Sequence, residues 1–455
     1  MVQKKAPGKW KVVLAILLVC FLGAQLIRPR ISHPPVTADV DAPEEIKQIL
    51  RSACYDCHSN ETHLLWFDKI TPANWLVADH IREGRNVLNF SQWDSLNKDQ
   101  RKGKLFESLN QMVFNTMPLP SYTLLHPAAK ITPLQIAALR SYLSDLAGTI
   151  RPDPAKDQAG KTQYLQWIQQ AGNSPRSSTD TVKPSPNGIA FMPDYRNWQA
   201  LSSTERFDNG TMRVILGNDV AVRAAKAGQT HPWPDGTRFA KVAWDQVIDT
   251  TGSVHTGAFK QVEFMIRDSR KYASTDGWGW ARWVKGLQLV PYGKDALFTT
   301  ECMNCHEPMK KNDLVFTSPV RRPELPKEDV TQDPAFQDPM EGKVIRSSVD
   351  KYAHTMSTLY GNDKAVAFAR THTGTGYPPG SALALVTWTQ KEDEHWFGAT
   401  IPSALQSVER ISFPGAAPVY EKLKGPSLKK ATGTDAAAVA GRIRSILEGQ
   451  ASVMP

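Results

Sequence analysis

The stretch Thr211–Gln246 returns as Thr355–Gln390 at a constant offset of 144 residues, without a gap, and 14 of the 36 positions are identical. Chance would leave only a few identities, so this part of the chain must fold as two copies of one unit. Gly217-Asn218-Asp219 matches Gly361-Asn362-Asp363, and Trp244 matches Trp388. In the first copy, short runs such as Thr211 to Leu216, Phe239 to Trp244 and Val262 to Ile266 alternate with Gly, Pro, Asn and Asp. That is the pattern of antiparallel strands joined by turns, with Asp219 to Ala227 predicted as a helix between two of them. The copies differ at two places that matter. Lys241 becomes Leu385, and only the first copy runs on into a C-x-x-C-H pentapeptide.

That pentapeptide, Cys302-Met303-Asn304-Cys305-His306, has a counterpart far upstream in Cys54-Tyr55-Asp56-Cys57-His58. In C-x-x-C-H, two thiols bond to the vinyl groups of a haem while the adjacent imidazole ligates its iron. A zinc ribbon places its two pairs about 15–20 residues apart, not hundreds, and a redox dithiol has no need of the histidine. Two haem c groups are therefore predicted. They take up four of the five cysteines, leaving none for a structural disulfide, and the fifth, Cys20, sits in an apolar run. A charged fraction of 22% with 41% hydrophobic residues is ordinary globular composition. The net charge of +9 favours an acidic partner or a membrane surface. Scattered Lys and Arg without a recognition motif speak against nucleic acid.

Covalent haem attachment implies export. Lys4, Lys5, Lys9 and Lys11 precede an apolar run from Val12 to Ile27, which Arg28-Pro29-Arg30 ends, and Trp10 stands where an interfacial aromatic would. The run is slightly short of the ~20 residues that span a bilayer, and it lacks a clean small-x-small cleavage site. Residues 1–40 are expected to be an uncleaved membrane helix with a Pro-rich tether; cleavage and lipidation at Cys20 are the alternatives. The bulk of the chain is then on the periplasmic side of a bacterial inner membrane.

Residues 41–148 carry the first motif. Asp41 is a candidate cap and Pro43 suits a first helical turn, after which Ile46, Ile49, Leu50 and Ala53 share one face and deliver Cys54. Thr132-Pro133 opens a closing helix striped by Ile136, Leu139, Leu143 and Leu146. Met117-Pro118-Leu119-Pro120 lies between, the layout of a small cytochrome c. Met117 is expected as the sixth ligand of the iron held by His58, with His63, His80 and His126 as alternatives. A His/Met pair saturates iron and suits electron transfer. Residues 149–187, rich in Asp, Gln, Ser, Thr and Pro, are expected to be a linker. Residues 188–320 form the first β unit, and 340–450 form its copy without a haem motif. The fold class is multi-domain α+β. At the second iron, Met309 follows His306 too closely to cross the macrocycle and His255 is a lone histidine, so an open sixth position is expected.

Two resemblances follow from these residues. Cys54 to Asn60, Gly84 to Trp93 and Met117-Pro118 through His126-Pro127 resemble a haem-binding domain family with a C-Y-D-C-H-S-N start and an M-P-x-x-Y-x-x-x-H-P close. The segment from about 188 to 318 resembles cytochrome P-460. The matching residues are Asp208 to Asn218, Pro232 to Thr237 with Lys241, Val262 to Met265, Gly277 to Trp283, and Glu301 to His306. That resemblance implies oxidation of hydroxylamine, and a bond from Lys241, 65 residues before His306, to a meso carbon of the second haem. It leaves open which carboxylate takes up protons; Glu263 is the candidate and Asp268 the reserve. The related β-sheet cytochromes c-prime lack the lysine and bind nitric oxide. The expectation is thus a dihaem oxidoreductase acting on a small nitrogen species and serving a periplasmic redox partner. A nitric-oxide-binding protein and a pure electron-transfer protein are the alternatives.

Overall fold

The fold is described from a computed structural model over residues 9–147, 152–173, 182–323, 338–431 and 435–455. Residues 1–147 and 148–455 form two separate compact units.

The regular elements described in the first unit are helices: α1 (Lys9–Ala24), α2 (Glu44–Ala53), α3 (Tyr55–His58), α4 (Ala73–Val87), α5 (Lys98–Val113), α6 (Pro120–Leu125) and α7 (Pro133–Ala147). The periodicity of α2 is realised, with Ile46, Ile49, Leu50 and Ala53 all buried, although Pro43 rather than Asp41 occupies its N-cap. In α7, Leu139 and Leu143 are buried while Leu146 is exposed. The helix predicted to cross a membrane is α1. At 16 residues and 1.5 Å per residue it spans about 24 Å, against a hydrocarbon thickness of about 30 Å. Among the described residues no helix is long and apolar enough to cross a membrane. The expected tether is not free chain. Arg85 donates to Ser32 O at 2.6 Å, Asn60 to Pro35 O at 3.0 Å, and the N–H of Thr37 to Ser91 O at 3.0 Å.

Among the described residues the second unit has twelve strands: β1 (Gln199–Arg206), β2 (Thr211–Gly217), β3 (Arg238–Ile248), β4 (Ser253–Arg267), β5 (Trp278–Val284), β6 (Val290–Pro291), β7 (Lys343–Asp350), β8 (Thr355–Gly361), β9 (Ala382–Glu392), β10 (Ala399–Ser412), β11 (Val419–Lys424) and β12 (Lys429–Lys430). Each copy contributes a four-stranded antiparallel meander, β1–β4 and β7–β10. Rather than standing apart as two domains, the copies close into one eight-stranded ring. The N-terminal end of β4 pairs with β7 through Ser253–His255, and the same end of β10 pairs with β1 through Ala399 and Thr400. The second junction is the first with the copies exchanged, so the barrel has an internal pseudo-twofold. A barrel without edges avoids the unpaired strand that each meander alone would expose. The C-terminal halves of β4 and β10 carry flaps, β5–β6 and β11–β12. These lead into α10 (Phe298–His306) and α12 (Ala436–Leu447).

The identities in the repeat now have causes. Asn218 and Asn362 cap α9 (Asp219–Lys226) and α11 (Asp363–Ala369), accepting from Ala221 N and Ala365 N at 3.0 Å each. Their amides donate to Gly236 O and Gly380 O at 2.9 and 2.8 Å. Gln246 and Gln390 both donate to one fully buried carboxylate, Glu205, at 3.3 and 2.9 Å. Trp244 and Trp388 are buried in the barrel core.

Within 149–187, the expected linker, lies a 20-residue helix, α8 (Pro154–Asn173). It packs on β4 and buries Tyr164 and Trp167. Its contact is close because glycines face each other; a Cβ on Gly160 would meet Gly257 Cα at 3.0 Å. The polar composition of the segment concealed two aromatic anchors three residues apart.

Two candidate haem-binding sites

In the first unit, α2 hands the chain directly to α3, which carries Cys54 at its N-cap and Cys57 and His58 within it. His58 Nδ1 donates to the carbonyls of Gly84 at 3.0 Å and Leu88 at 3.2 Å. This fixes the ring and leaves Nε2 as its lone-pair nitrogen, the arrangement of a ligating histidine. Burial lowers the His58 pKa, which keeps the imidazole neutral. α4 reaches this close because residue 84 is glycine; a Cβ there would sit 2.7 Å from Cys57 O. Burial pushes Cys54 up to about 12 and Cys57 to about 11, opposite to what a redox dithiol requires. Ser59 and Asn60, both buried, complete the motif. Ser59 Oγ donates to Tyr55 O at 2.7 Å, and Asn60 is bonded to Ser91 and Asn89.

Met117 lies on the loop after α5, 38% exposed. The loop is tied to the haem motif by Tyr122, whose hydroxyl donates to Asp56 Oδ2. His126, an alternative ligand, has both ring nitrogens engaged, Nδ1 by Tyr122 O and Nε2 by Asp68 Oδ2, each at 3.0 Å. The Tyr and His of the M-P-x-x-Y-x-x-x-H-P element are thus clamps, stacked on each other with centroids 3.9 Å apart. His63 is exposed.

In the second unit, Cys302, Cys305 and His306 share α10. His306 Nδ1 donates to Leu314 O at 2.6 Å, and burial lowers its pKa to about 4. The acceptor is presented by two consecutive non-glycine residues in the left-handed region, Asp313 (φ 52°) and Leu314 (φ 61°). Such a conformation costs about 1–2 kcal/mol per residue, so something must hold it. Asp313 accepts from Trp233 N at 2.9 Å and pairs with Arg267 at 3.3 Å, and the Leu314 side chain is buried.

Beside α10, one cross-strand row runs Lys241 on β3, Glu263 on β4 and Arg282 on β5, each directly opposite the next. Lys241 Nζ lies 2.7 Å and Arg282 Nη2 3.5 Å from Glu263 Oε2, and Gln261 donates to Oε1. Burial opposes ionisation of Glu263, but Arg282 and Lys241 outweigh it and hold the carboxyl well below its usual range. Burial lowers the Lys241 pKa, with Arg213 and Arg282 adding to the effect against the pull of Glu263. The Lys241 side chain is still 31% exposed, so solvent screens this pair. The strand around Lys241 alternates: Ala240 and Val242 face the barrel core, Phe239 the cluster of Trp233, Trp278 and Trp280. Asp268 does not join the row; it caps a turn, accepting from Arg270 N at 3.2 Å and Lys271 N at 2.9 Å. Arg282, Arg213 and the strap from Asn312 to Phe316 were not foreseen from sequence, because nothing local marks a residue that acts across strands.

The donor sets fit haem c. None of the four motif cysteines forms a disulfide. Among the described residues no group of three or more His, Cys, Asp or Glu is placed to hold a metal ion. Trp280 Nε1 and Arg282 Nε are buried donors without an acceptor among the described residues, and the Trp280 ring is 5.9 Å from His306. Donors of this kind suit a group that brings its own acceptor oxygens, as haem does in its propionates.

The second copy keeps the row but shuts it. Glu409 stands opposite Leu385 as Glu263 stands opposite Lys241, and Lys422 on the flap takes the place of Arg282. The missing cation comes from α12, where Arg442 grips Glu409 with two bonds of 2.8 and 2.7 Å. Glu409 is 1% exposed, whereas the Glu263 side chain is 15% exposed.

Comparison with known families agrees with this division. Residues 16–145 match the Haem-binding domain family and residues 192–317 the Cytochrome P460 family. No curated protein matches the chain.

Proposed function

Because the chain is a haem-binding domain fused to a cytochrome P460 domain, we propose that it oxidises hydroxylamine, or a related small nitrogen species, at the haem held by Cys302, Cys305 and His306. Cys54, Cys57, His58 and Met117 would hold another haem, which would supply a route for the electrons to a periplasmic redox partner. Bound there, haem would supply a redox-active iron. The observation that carries the reading is the Lys241–Glu263 pair at 2.7 Å beside the haem helix.

Glu263 is an ionised, largely buried carboxylate whose proton affinity Arg282 and Lys241 hold low; it can accept the protons that leave the substrate with its electrons once one of those cations is lost. Lys241, with its proton affinity lowered by burial, is the amine for a bond to the porphyrin. Such a bond would replace one N–H and one C–H by one C–N, the two protons and two electrons passing to a peroxide that is reduced to two waters. It would also remove the ammonium beside Glu263, leaving that carboxylate a stronger base. Export and attachment to a membrane surface are supported by α1, whose apolar residues are exposed all round.

Two measurements test this. Mass spectrometry of a tryptic digest should find the Lys241 peptide joined through haem to the peptide carrying Cys302 and Cys305. Lys241→Leu, the residue of the second copy, should keep nitric-oxide binding and lose hydroxylamine oxidation. An unmodified Lys241 peptide in fully loaded protein would move the assignment to a nitric-oxide-binding cytochrome.

A further inference from the structure

The strap that orients His306 is held from both copies. From the first copy come Arg267 and Trp233 N, both on Asp313. From the second comes His395, on the turn between β9 and β10. Its Nδ1 donates to Phe316 O at 2.8 Å, and its Nε2 accepts from Asn312 Nδ2 at 3.1 Å. One imidazole thereby closes the strap at both ends, around the Leu314 carbonyl that accepts from His306. The adjacent Trp396 reinforces the contact. Phe316 lies edge-on between the His306 ring at 5.1 Å and the Trp396 ring at 5.9 Å. Trp396 in turn donates to Asp208 of the first copy at 3.0 Å and lies under Arg206.

We infer that His395, supplied by the copy without a haem motif, is a positioning residue for the axial histidine: it fixes the 312–316 strap and so sets the strength of the His306–Leu314 hydrogen bond. The inference rests on His306 being the axial ligand of the second haem. A strong bond from Nδ1–H to a carbonyl makes the imidazole a better donor to iron and stabilises the oxidised state. The left-handed backbone at Asp313 and Leu314 relaxes once one end of the strap is released, and the bond then lengthens. The second copy thereby tunes the haem of the first.

The test uses the full-length holoprotein and two substitutions. His395→Phe keeps the ring shape and removes both hydrogen bonds; His395→Asn keeps an amide donor toward Phe316 O. Spectroelectrochemistry should show the second haem's midpoint shifted upward in His395→Phe and by a smaller amount in His395→Asn, which loses the Asn312 bond alone, with the first haem unchanged in both. With nitric oxide as probe, ferrous His395→Phe should show a larger fraction that has lost the proximal histidine bond, seen by electron paramagnetic resonance. An unchanged midpoint and an unchanged nitric-oxide signature in fully loaded His395→Phe overturn the inference. Should that variant fail to load haem, Asn312→Ala removes the other bond and is read in the same way. The axial assignment is tested separately: a second haem spectrum unaltered by His306→Ala would refute that assignment rather than the role of His395.

Discussion

Replacing Arg442 by Met tests whether α12 locks the second copy. Glu409 is buried with Arg442, Tyr420 and Lys422 around it. Burial alone would raise its pKa, but the hydrogen bonds from Arg442 and Tyr420 lower it to about 2 from 4.5. A shift of that size corresponds to about 3 kcal/mol. Arg442 is itself 43% exposed, and discounting for solvent screening leaves about 2 kcal/mol for its share. Because Glu409 titrates lower in the folded state than unfolded, this stability is complete above about pH 4.5 and is lost as pH falls through about 2. In Arg442→Met the carboxylate keeps its burial and loses its main partner, so the variant should unfold more easily by about 2 kcal/mol at pH 7. The difference should shrink at pH 3, where the variant's Glu409 is already protonated. Urea unfolding followed by circular dichroism at both pH values measures it. Wild-type stability at pH 7, or an equal loss at pH 7 and pH 3, would refute the lock.

Three further outcomes are expected. Met117→Ala should convert the first haem from low-spin to high-spin or water-ligated and lower its potential; an unchanged low-spin spectrum would assign the ligand to a histidine instead. Gly84→Ala forces a Cβ to within 2.7 Å of Cys57 O, an overpacking cost of about 1–3 kcal/mol, and should reduce haem loading at the first site; normal loading and an unshifted melting temperature would count against the close approach. Glu263→Gln should slow hydroxylamine oxidation by about 10²-fold or more while nitric-oxide binding persists; an undiminished rate would remove Glu263 from proton uptake.

Much of this architecture was legible because its signals are local. The periodicity that buries Ile46, Ile49 and Leu50 and the Asn caps of α9 and α11 lie within a few residues of what they determine. The repeat was legible through identity, yet the sequence of neither copy states that the two share one ring. Ring closure depends on two short junctions, Ser253–His255 and Ala399–Thr400, and strand pairing across 93 or more residues leaves no local trace. α8 was missed for the opposite reason. Its surface is so polar that Tyr164 and Trp167 did not stand out as one helical face. At the candidate site, Lys241 was visible as a lysine in an apolar strand, whereas its partners were not. Glu263 was one carboxylate among several, and Arg282 sat in a tryptophan-rich run that reads as core. Only the register of β3, β4 and β5 places the three in one row.

That row also explains how one ancestral unit yields an open site and a closed one. In both copies a glutamate on the long strand faces a cation on the flap, Arg282 in one and Lys422 in the other. A buried carboxylate with a single partner is costly, so each copy supplies a second cation, but from different elements. In the first copy it is Lys241 on the barrel itself. The helix opposite then owes nothing to the glutamate and can carry Cys302, Cys305 and His306. In the second copy the barrel position is Leu385, and the cation is Arg442 on the helix. That tie draws α12 onto the row, and with Leu385, Leu423, Ile446 and Leu447 buried in the same core, the face closes. Where the first copy has Lys241 and the helix of Cys302, Cys305 and His306, the second thus has Leu385 and a helix that supplies Arg442. Restoring Leu385 to lysine alone would place two cations beside Glu409 without reopening the face.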